Sequence, residues 1–160
     1  MTSPVGPGDL RRPSVLLATW FGSGLLPKAP GTWGSLAALP FAWAIQSSGG
    51  QGALLAAAAV IFFIGWWSAD RYARDTGTKD AGSVVIDEVA GLWLTLACVP
   101  MSAWSYLAGF ALFRAADIYK PWPASLADRR LGGGFGIMID DIIAGAYAGV
   151  ALFVGVSILG

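Results

Sequence analysis

Five carboxylates in this chain could act as one chemical unit: Asp87 with Glu88, Asp117, and Asp140 with Asp141; a further acid, Asp80, lies close ahead of the first pair. Adjacent acids repel, and holding two such pairs beside apolar sequence is unfavourable unless a cation neutralises them. The chain has no histidine and a single cysteine, so the available donors are oxygens, a set that suits Mg²⁺, or Mn²⁺, better than zinc or copper. Each pair also stands ahead of an apolar run that reads as a helix, and an acid there can simply cap the helix N-terminus. A role as a cap explains any one of these acids; the gathering of five favours a cation.

The segment 113–121 spaces Arg114, Asp117 and Lys120 three residues apart, so they share one face of a helix that Pro121 should end. Such spacing often marks a salt-bridge ladder, but beside a cation Arg114 and Lys120 could grip a phosphate whose oxygens also meet the metal. Two glycine-rich stretches, 22–35 and 132–136, would let backbone N–H groups approach an anion, with Thr32 and Ser35 placed where a helix would begin. Neither has the spacing of a nucleotide-binding loop, and a tight turn is the commoner meaning of such runs.

The missing residues narrow the chemistry. Without histidine there is no phosphohistidine intermediate, no His-based triad and no His-containing type-2 phosphatidic acid phosphatase motif. Cys98 has no arginine at the spacing of a cysteine phosphatase loop; it sits in an apolar run and reads as a packing residue. No Asp-x-Asp stands at a strand end. A carboxylate-held metal that promotes attack by water is the option that remains.

The elements that must position these acids are apolar. Hydrophobic residues make up 56% of the 160 and charged residues 12%, about half the roughly 25% of a soluble domain. Residues 52–69 and 142–160 are uncharged over 18 and 19 positions. At 1.5 Å per residue each would cover about 27 to 28 Å, close to a bilayer's hydrocarbon thickness. Residues 33–46, 89–99 and 102–113 read as shorter or tilted helices, and 15–26, broken by Gly22 and Gly24, as an interfacial or re-entrant piece. All twenty charges fall in four stretches, 9–28, 70–88, 114–130 and 140–141. If the five apolar segments alternate in direction, every charge lies at one side of the membrane, the cytoplasmic one by the bias of Lys and Arg.

The expected architecture is therefore an all-α, multi-helical, membrane-embedded bundle with several short helices and two longer spans. It forms one domain over residues 14–160, preceded by a flexible tail, 1–13. A soluble bundle could also put its polar ends together, but its helices would carry scattered charges that these lack. The formal net charge of zero, with no basic stripe, excludes nucleic acid as an expected partner.

Four motifs in order give the chain a family likeness: the stretch 22–35, the element 85–91 carrying Asp87 and Glu88, the element 113–121 ending in Lys-Pro-Trp-Pro, and 134–141 followed by Ala144 and Gly145. Together they resemble the phosphatidylglycerophosphatase A family over most of the chain. The resemblance implies Mg²⁺-dependent hydrolysis of phosphatidylglycerol phosphate to phosphatidylglycerol and inorganic phosphate. It implies a bacterial inner-membrane enzyme with its active site on the cytoplasmic side. Asp87, Glu88, Asp117, Asp140 and Asp141 would then be the catalytic and metal-binding set, and Arg114, Lys120, Lys28, Thr32 and Ser35 the phosphate-binding set. The residues alone leave open a phosphatase of another lipid or soluble phosphate monoester, a small ion or metabolite carrier, and self-association.

Overall fold

The computed structural model describes residues 6–78 and 82–160, apart from the side chain of Asp128; Asp80 lies outside the described residues. All regular structure among them is helical: α1 (Pro13–Ala18), a 3₁₀ turn (Ser23–Leu25), α2 (Pro30–Thr76), α3 (Ile86–Ala97), α4 (Ala103–Tyr119), α5 (Ala124–Arg130) and α6 (Gly133–Leu159). The expected all-α bundle is found, and α2 and α6 are long and apolar enough to cross a membrane.

α2 is two arms rather than one rod. Gly50 has φ 74° and ψ −169°, a conformation open to glycine and strained for any side chain, and the chain doubles back there. Contacts along the arms show the reversal. On the first arm Ala38 accepts a hydrogen bond from the Trp93 indole and Gln46 donates to the Val99 carbonyl, so residues 30–49 run alongside α3 in the same direction. On the second, Gln51 donates to Ala97 while Gly65 lies against Ile86, so residues 51–76 run the opposite way.

The same reasoning orders the remaining helices. Gly91 of α3 meets Phe113 of α4 and Leu96 meets Gly109, an antiparallel pair. Gly145 of α6 meets Gly91 and Gly149 meets Cys98, a parallel pair. Five apolar segments thus alternate in direction, and the beginning of α2, its end, and the charged ends of α3, α4 and α6 collect at one end of the bundle. At the far end Gln46, buried, receives the Tyr106 hydroxyl at 2.7 Å and ties α2, α3 and α4 together without a charge.

Small residues set the tightest crossing. A Cβ on Gly145 would strike the Gly91 carbonyl, and one on Gly91 would strike the Asp141 carbonyl and the Phe113 ring. The Thr95 hydroxyl lies 3.0 Å from both the Gly91 and Gly145 carbonyl oxygens. Where apolar surroundings remove the hydrophobic reward for helix association, this close backbone approach and an interhelical hydrogen bond are what hold helices together. The consequence for the site is direct, because the crossing lies one turn from Asp87 and Glu88 on α3 and from Asp140 and Asp141 on α6.

The start of α6 differs from the expectation. It begins at Gly133, so Asp140 and Asp141 sit two turns inside the helix rather than ahead of it, beyond the reach of its N-terminal dipole. The glycine-rich residues 133–136 form the first turn, and the Gly134 N–H donates to the Asp70 carboxylate at 2.6 Å. Asp70, from the end of α2, supplies the cap that α6's own sequence lacks. At the other end of the chain, Pro7 accepts from the Tyr72 hydroxyl and Arg12 lies 3.8 Å from Asp75.

Candidate carboxylate centre

α3 begins after Val85, whose N–H is held by the Ala18 carbonyl of α1, and this brings Asp87 and Glu88 into the first helical turn. α6 runs beside α3 in the same sense and supplies Asp141. One carboxylate oxygen from each of Asp87, Glu88 and Asp141 lies within 4.8 Å of the others. Ile86 and Val89 flank the acid pair of α3 and are buried, as is Ala144, three residues after Asp141, so the cluster is backed by apolar side chains.

Two cations stand at its edge. Arg114, on α4, places Nη1 3.2 Å from Glu88 Oε2 and also pairs closely with Asp117. The expected three-residue ladder breaks after Asp117: Lys120 terminates α4 with φ 47°, which swings its side chain away, and Nζ reaches Asp140 Oδ2 at 2.8 Å. The acids therefore divide. Asp87, Glu88 and Asp141 form the inner group, and Asp117 and Asp140 sit beside it, each with a cation.

The phosphate-binding candidates of the first arm of α2 divide as well. Ser35 is fully buried and donates its hydroxyl to Glu88 Oε2 at 3.1 Å, so it holds a carboxylate instead of facing an anion. Thr32 is half-buried, one residue after Gly31, and Lys28 is exposed. A Cβ on Gly31 would strike the Glu88 carboxylate, so this glycine admits the acid to the helix start. The other stretch, 132–136, presents its N-terminal N–H to Asp70 and is occupied as an anion site by the protein itself.

The electrostatics follow from this packing. Burial, reinforced by the negative charges of Glu88, Asp140 and Asp117, pushes the Asp87 carboxyl well above the usual carboxylate range. Burial pushes Glu88 up to about 7, against the opposing pull of Arg114. Asp87 Oδ1 and Asp141 Oδ2 are buried and have no hydrogen-bond partner among the described residues, and neither does Arg114 Nε. Orphaned acceptors in such a place are expensive, on the order of 1–3 kcal/mol each and more for charged groups, unless something absent from the chain meets them.

A divalent cation fits this donor set. All three inner donors are carboxylate oxygens, the hard set that Mg²⁺ or a similar ion takes, and their mutual spread within 4.8 Å brings them close enough to share one ion.

Sequence reasoning did not single out Asp70, nor the role of Gly31, Gly91 and Gly145 as points of contact. The capping acid is invisible without knowing that α2 returns to the start of α6. The glycines lie within or next to the recognised motifs, but their reason for being small is the neighbour each one touches.

The fold and the site together define an all-helical, apolar bundle with a buried carboxylate centre flanked by a guanidinium. The chain matches the family described as phosphatidylglycerophosphatase A over residues 16–156, and it belongs to that family of phosphatases. It is 44% identical to phosphatidylglycerophosphatase A of Escherichia coli (strain K12), over 91% of this chain and 86% of the relative. To the protein of the same description from Haemophilus influenzae it is 43% identical, over 94% and 93%. A protein of Bacteroides thetaiotaomicron named "Putative phosphatidylinositol-3-phosphatase" is 39% identical, over 94% of this chain and the whole of the relative. No solved structure matches.

Proposed function

We propose that this protein hydrolyses the terminal phosphate monoester of phosphatidylglycerol phosphate, giving phosphatidylglycerol and inorganic phosphate, with Mg²⁺ as its cofactor. The observation that carries the reading is the convergence of Asp87, Glu88 and Asp141 with two buried acceptors left unmet. The relatives' names supply the substrate, and the acidic centre supplies the means.

The bundle sits in the inner membrane of a bacterium with the carboxylate centre at the cytoplasmic surface. What supports this placement is the surface of the two long helices: within the apolar window of each only 28% of residues are buried in the protein, and large apolar side chains such as Leu55, Val60, Phe63, Val150 and Phe153 are exposed. A soluble bundle would cover them. The alternation of the five segments puts every charged stretch at one end, where a lipid's phosphate would present itself.

In the mechanism, Asp87, Glu88 and Asp141 would hold the cation, and Asp117 and Asp140 complete the acidic surroundings. When bound, the cation supplies Lewis-acid stabilisation of charge on the phosphoryl oxygens. Arg114, already fixed by Glu88 and Asp117, sets its guanidinium beside the centre to meet charge on the phosphoryl group. Such a pre-oriented donor contributes more in a partly dry site than in water. Lys120 holds Asp140 and stands at the site's edge, with Lys28 and Thr32 on the approach from α2. A water attacks phosphorus as the bond to the glycerol oxygen breaks; its proton passes to a carboxylate of the cluster and from there to the leaving oxygen, which becomes the free hydroxyl of phosphatidylglycerol. Ser35 keeps Glu88 oriented throughout.

The test is phosphate release by the purified protein from phosphatidylglycerol phosphate and a panel of other lipid phosphates, with Mg²⁺ present and then chelated. Preferential, chelator-sensitive release from phosphatidylglycerol phosphate supports the reading. Equal release from a phosphoinositide would favour the second reading, an inositol-lipid phosphatase, which rests on the name of the Bacteroides relative. Release unaffected by chelation would remove the cation from the scheme.

A further inference from the structure

The charged end of the bundle carries a second polar feature, away from the carboxylate centre. A groove of about 340 Å³ opens between the N-terminal turns and the end of α2, lined by Arg11, Arg12, Pro13, Ser14, Trp67, Arg71 and Asp75. Three guanidiniums and one carboxylate line it. Arg12 and Arg71 both turn to the same oxygen of Asp75, at 3.8 and 3.2 Å, so one negative charge answers two positive ones. Arg11 lies 3.3 Å from Asp9 at the groove's outer edge, so with Asp9 counted the three guanidiniums still exceed the carboxylates by one charge, and Asp75, 15% exposed, sits behind the more exposed Arg12 and Arg71. A guanidinium carries five N–H donors, and these contacts use a minority of them.

The depth of the groove is marked independently. Trp66 and Trp67 are exposed where the apolar run 52–69 meets the charged stretch that begins at Asp70. Tryptophans at such a junction sit at the level of lipid headgroups, and arginines beside them meet the phosphates of that layer. Net positive charge, an indole wall and headgroup depth together specify one kind of occupant.

We propose that this groove binds the headgroup of an anionic phospholipid of the surrounding bilayer, at a place separate from the catalytic centre. Its phosphodiester is gripped by Arg11, Arg12 and Arg71 and its glycerol backbone lies against Trp67. A zwitterionic headgroup is disfavoured because its cationic end would meet guanidiniums. The proposal depends on the chain's seat in a bilayer and not on the reaction it performs.

The test uses the purified full-length chain in a neutral detergent, with bound lipids counted by native mass spectrometry. Phosphatidylglycerol, phosphatidylcholine and inorganic phosphate are offered separately. Phosphatidylglycerol should be retained and phosphatidylcholine lost. The double variant Arg11→Gln/Arg71→Gln, which leaves Arg12 on Asp75, should weaken retention about thirtyfold, from roughly a fivefold loss per arginine near an anionic headgroup. Phosphate release from a short-chain, soluble substrate should stay within about twofold of the parent, since neither arginine touches the acidic centre. If the double variant fails to fold, Arg11→Gln alone, at an exposed position, should give about a fivefold loss. Equal retention of phosphatidylcholine, undiminished retention by the variants, or displacement of the lipid by millimolar inorganic phosphate would overturn the proposal. Loss of hydrolysis with lipid retention intact would count against the proposed reaction alone.

Discussion

The Ser35 hydroxyl donates to Glu88 Oε2 at 3.1 Å, joining the first arm of α2 to the first turn of α3 across 53 residues of sequence. Arg114 reaches the same oxygen from α4, so three helices meet on one carboxylate atom. Groups that orient a metal ligand typically set its affinity by tenfold to a hundredfold. Ser35→Ala should weaken Mn²⁺ binding, read by electron paramagnetic resonance of the free ion, by about tenfold while KM for the lipid changes little. Unchanged Mn²⁺ affinity would deny Ser35 this role.

Asp141→Asn keeps the size of the side chain and removes its charge from the inner group. With the protein inserted at parental levels, phosphate release should fall by about a thousandfold or more, the scale of losing a group on which transition-state stabilisation depends. Asp117→Asn, one step further out and paired with Arg114, should fall by less. Equal losses, measured as kcat/KM, would mean that Asp117 belongs to the inner group.

The pH dependence of cation binding follows from Glu88, which lies ahead of the apolar run 89–99. Its pKa is raised from 4.5 to about 7 by burial, so without a cation the folded protein holds a proton there that the unfolded chain has given up above pH 4.5. Metal-free stability should therefore fall as pH rises from about 4.5 to 7, because the native state binds more protons than the unfolded one. A cation must displace that proton, so affinity for Mg²⁺ should rise between pH 6 and 8 with proton release. Calorimetry in two buffers of different ionisation enthalpy measures the release; a buffer-independent heat would contradict it.

Gly145→Val places a branched side chain against the Gly91 carbonyl at the α3–α6 crossing. Overpacking of this kind costs about 1–3 kcal/mol or more, so the melting temperature in detergent should fall and the acid pair on α6 should shift away from α3. Activity should drop with the melting temperature. A variant with parental stability would show that the helices can part without cost.

Asp70→Ala removes the carboxylate that caps α6 and should destabilise the protein by about 1 kcal/mol, as lost caps usually do. Affinity for Mn²⁺ should be unaltered, because the cap lies two turns from Asp141. A large loss of affinity would instead tie Asp70 to the centre.

Much of the architecture was legible before any coordinates. The clustering of all twenty charges between apolar runs implied alternating helices with their polar ends together, and the contacts along α2, α3, α4 and α6 follow that order. Composition carries such information because uncharged runs of this length leave a helix few places to lie. The reversal inside α2 was legible as the break between the apolar runs 33–46 and 52–69, although its hinge is one glycine whose dihedral angles no periodicity reports.

The grouping of the site was less legible. Sequence supplied the acids, the arginine and the lysine, since charge beside apolar sequence is conspicuous whatever the fold. It placed Lys120 on a face with Arg114 and Asp117, whereas a left-handed residue at the end of α4 sends it to Asp140. It offered Ser35 to a phosphate, whereas burial against α3 gives that hydroxyl to Glu88. What the sequence alone determined was which side chains are polar and at which end of the bundle they must lie. Which of them touch was decided by helix rotation and backbone approach, set by contacts between residues far apart in the chain, and local spacing carries no record of those.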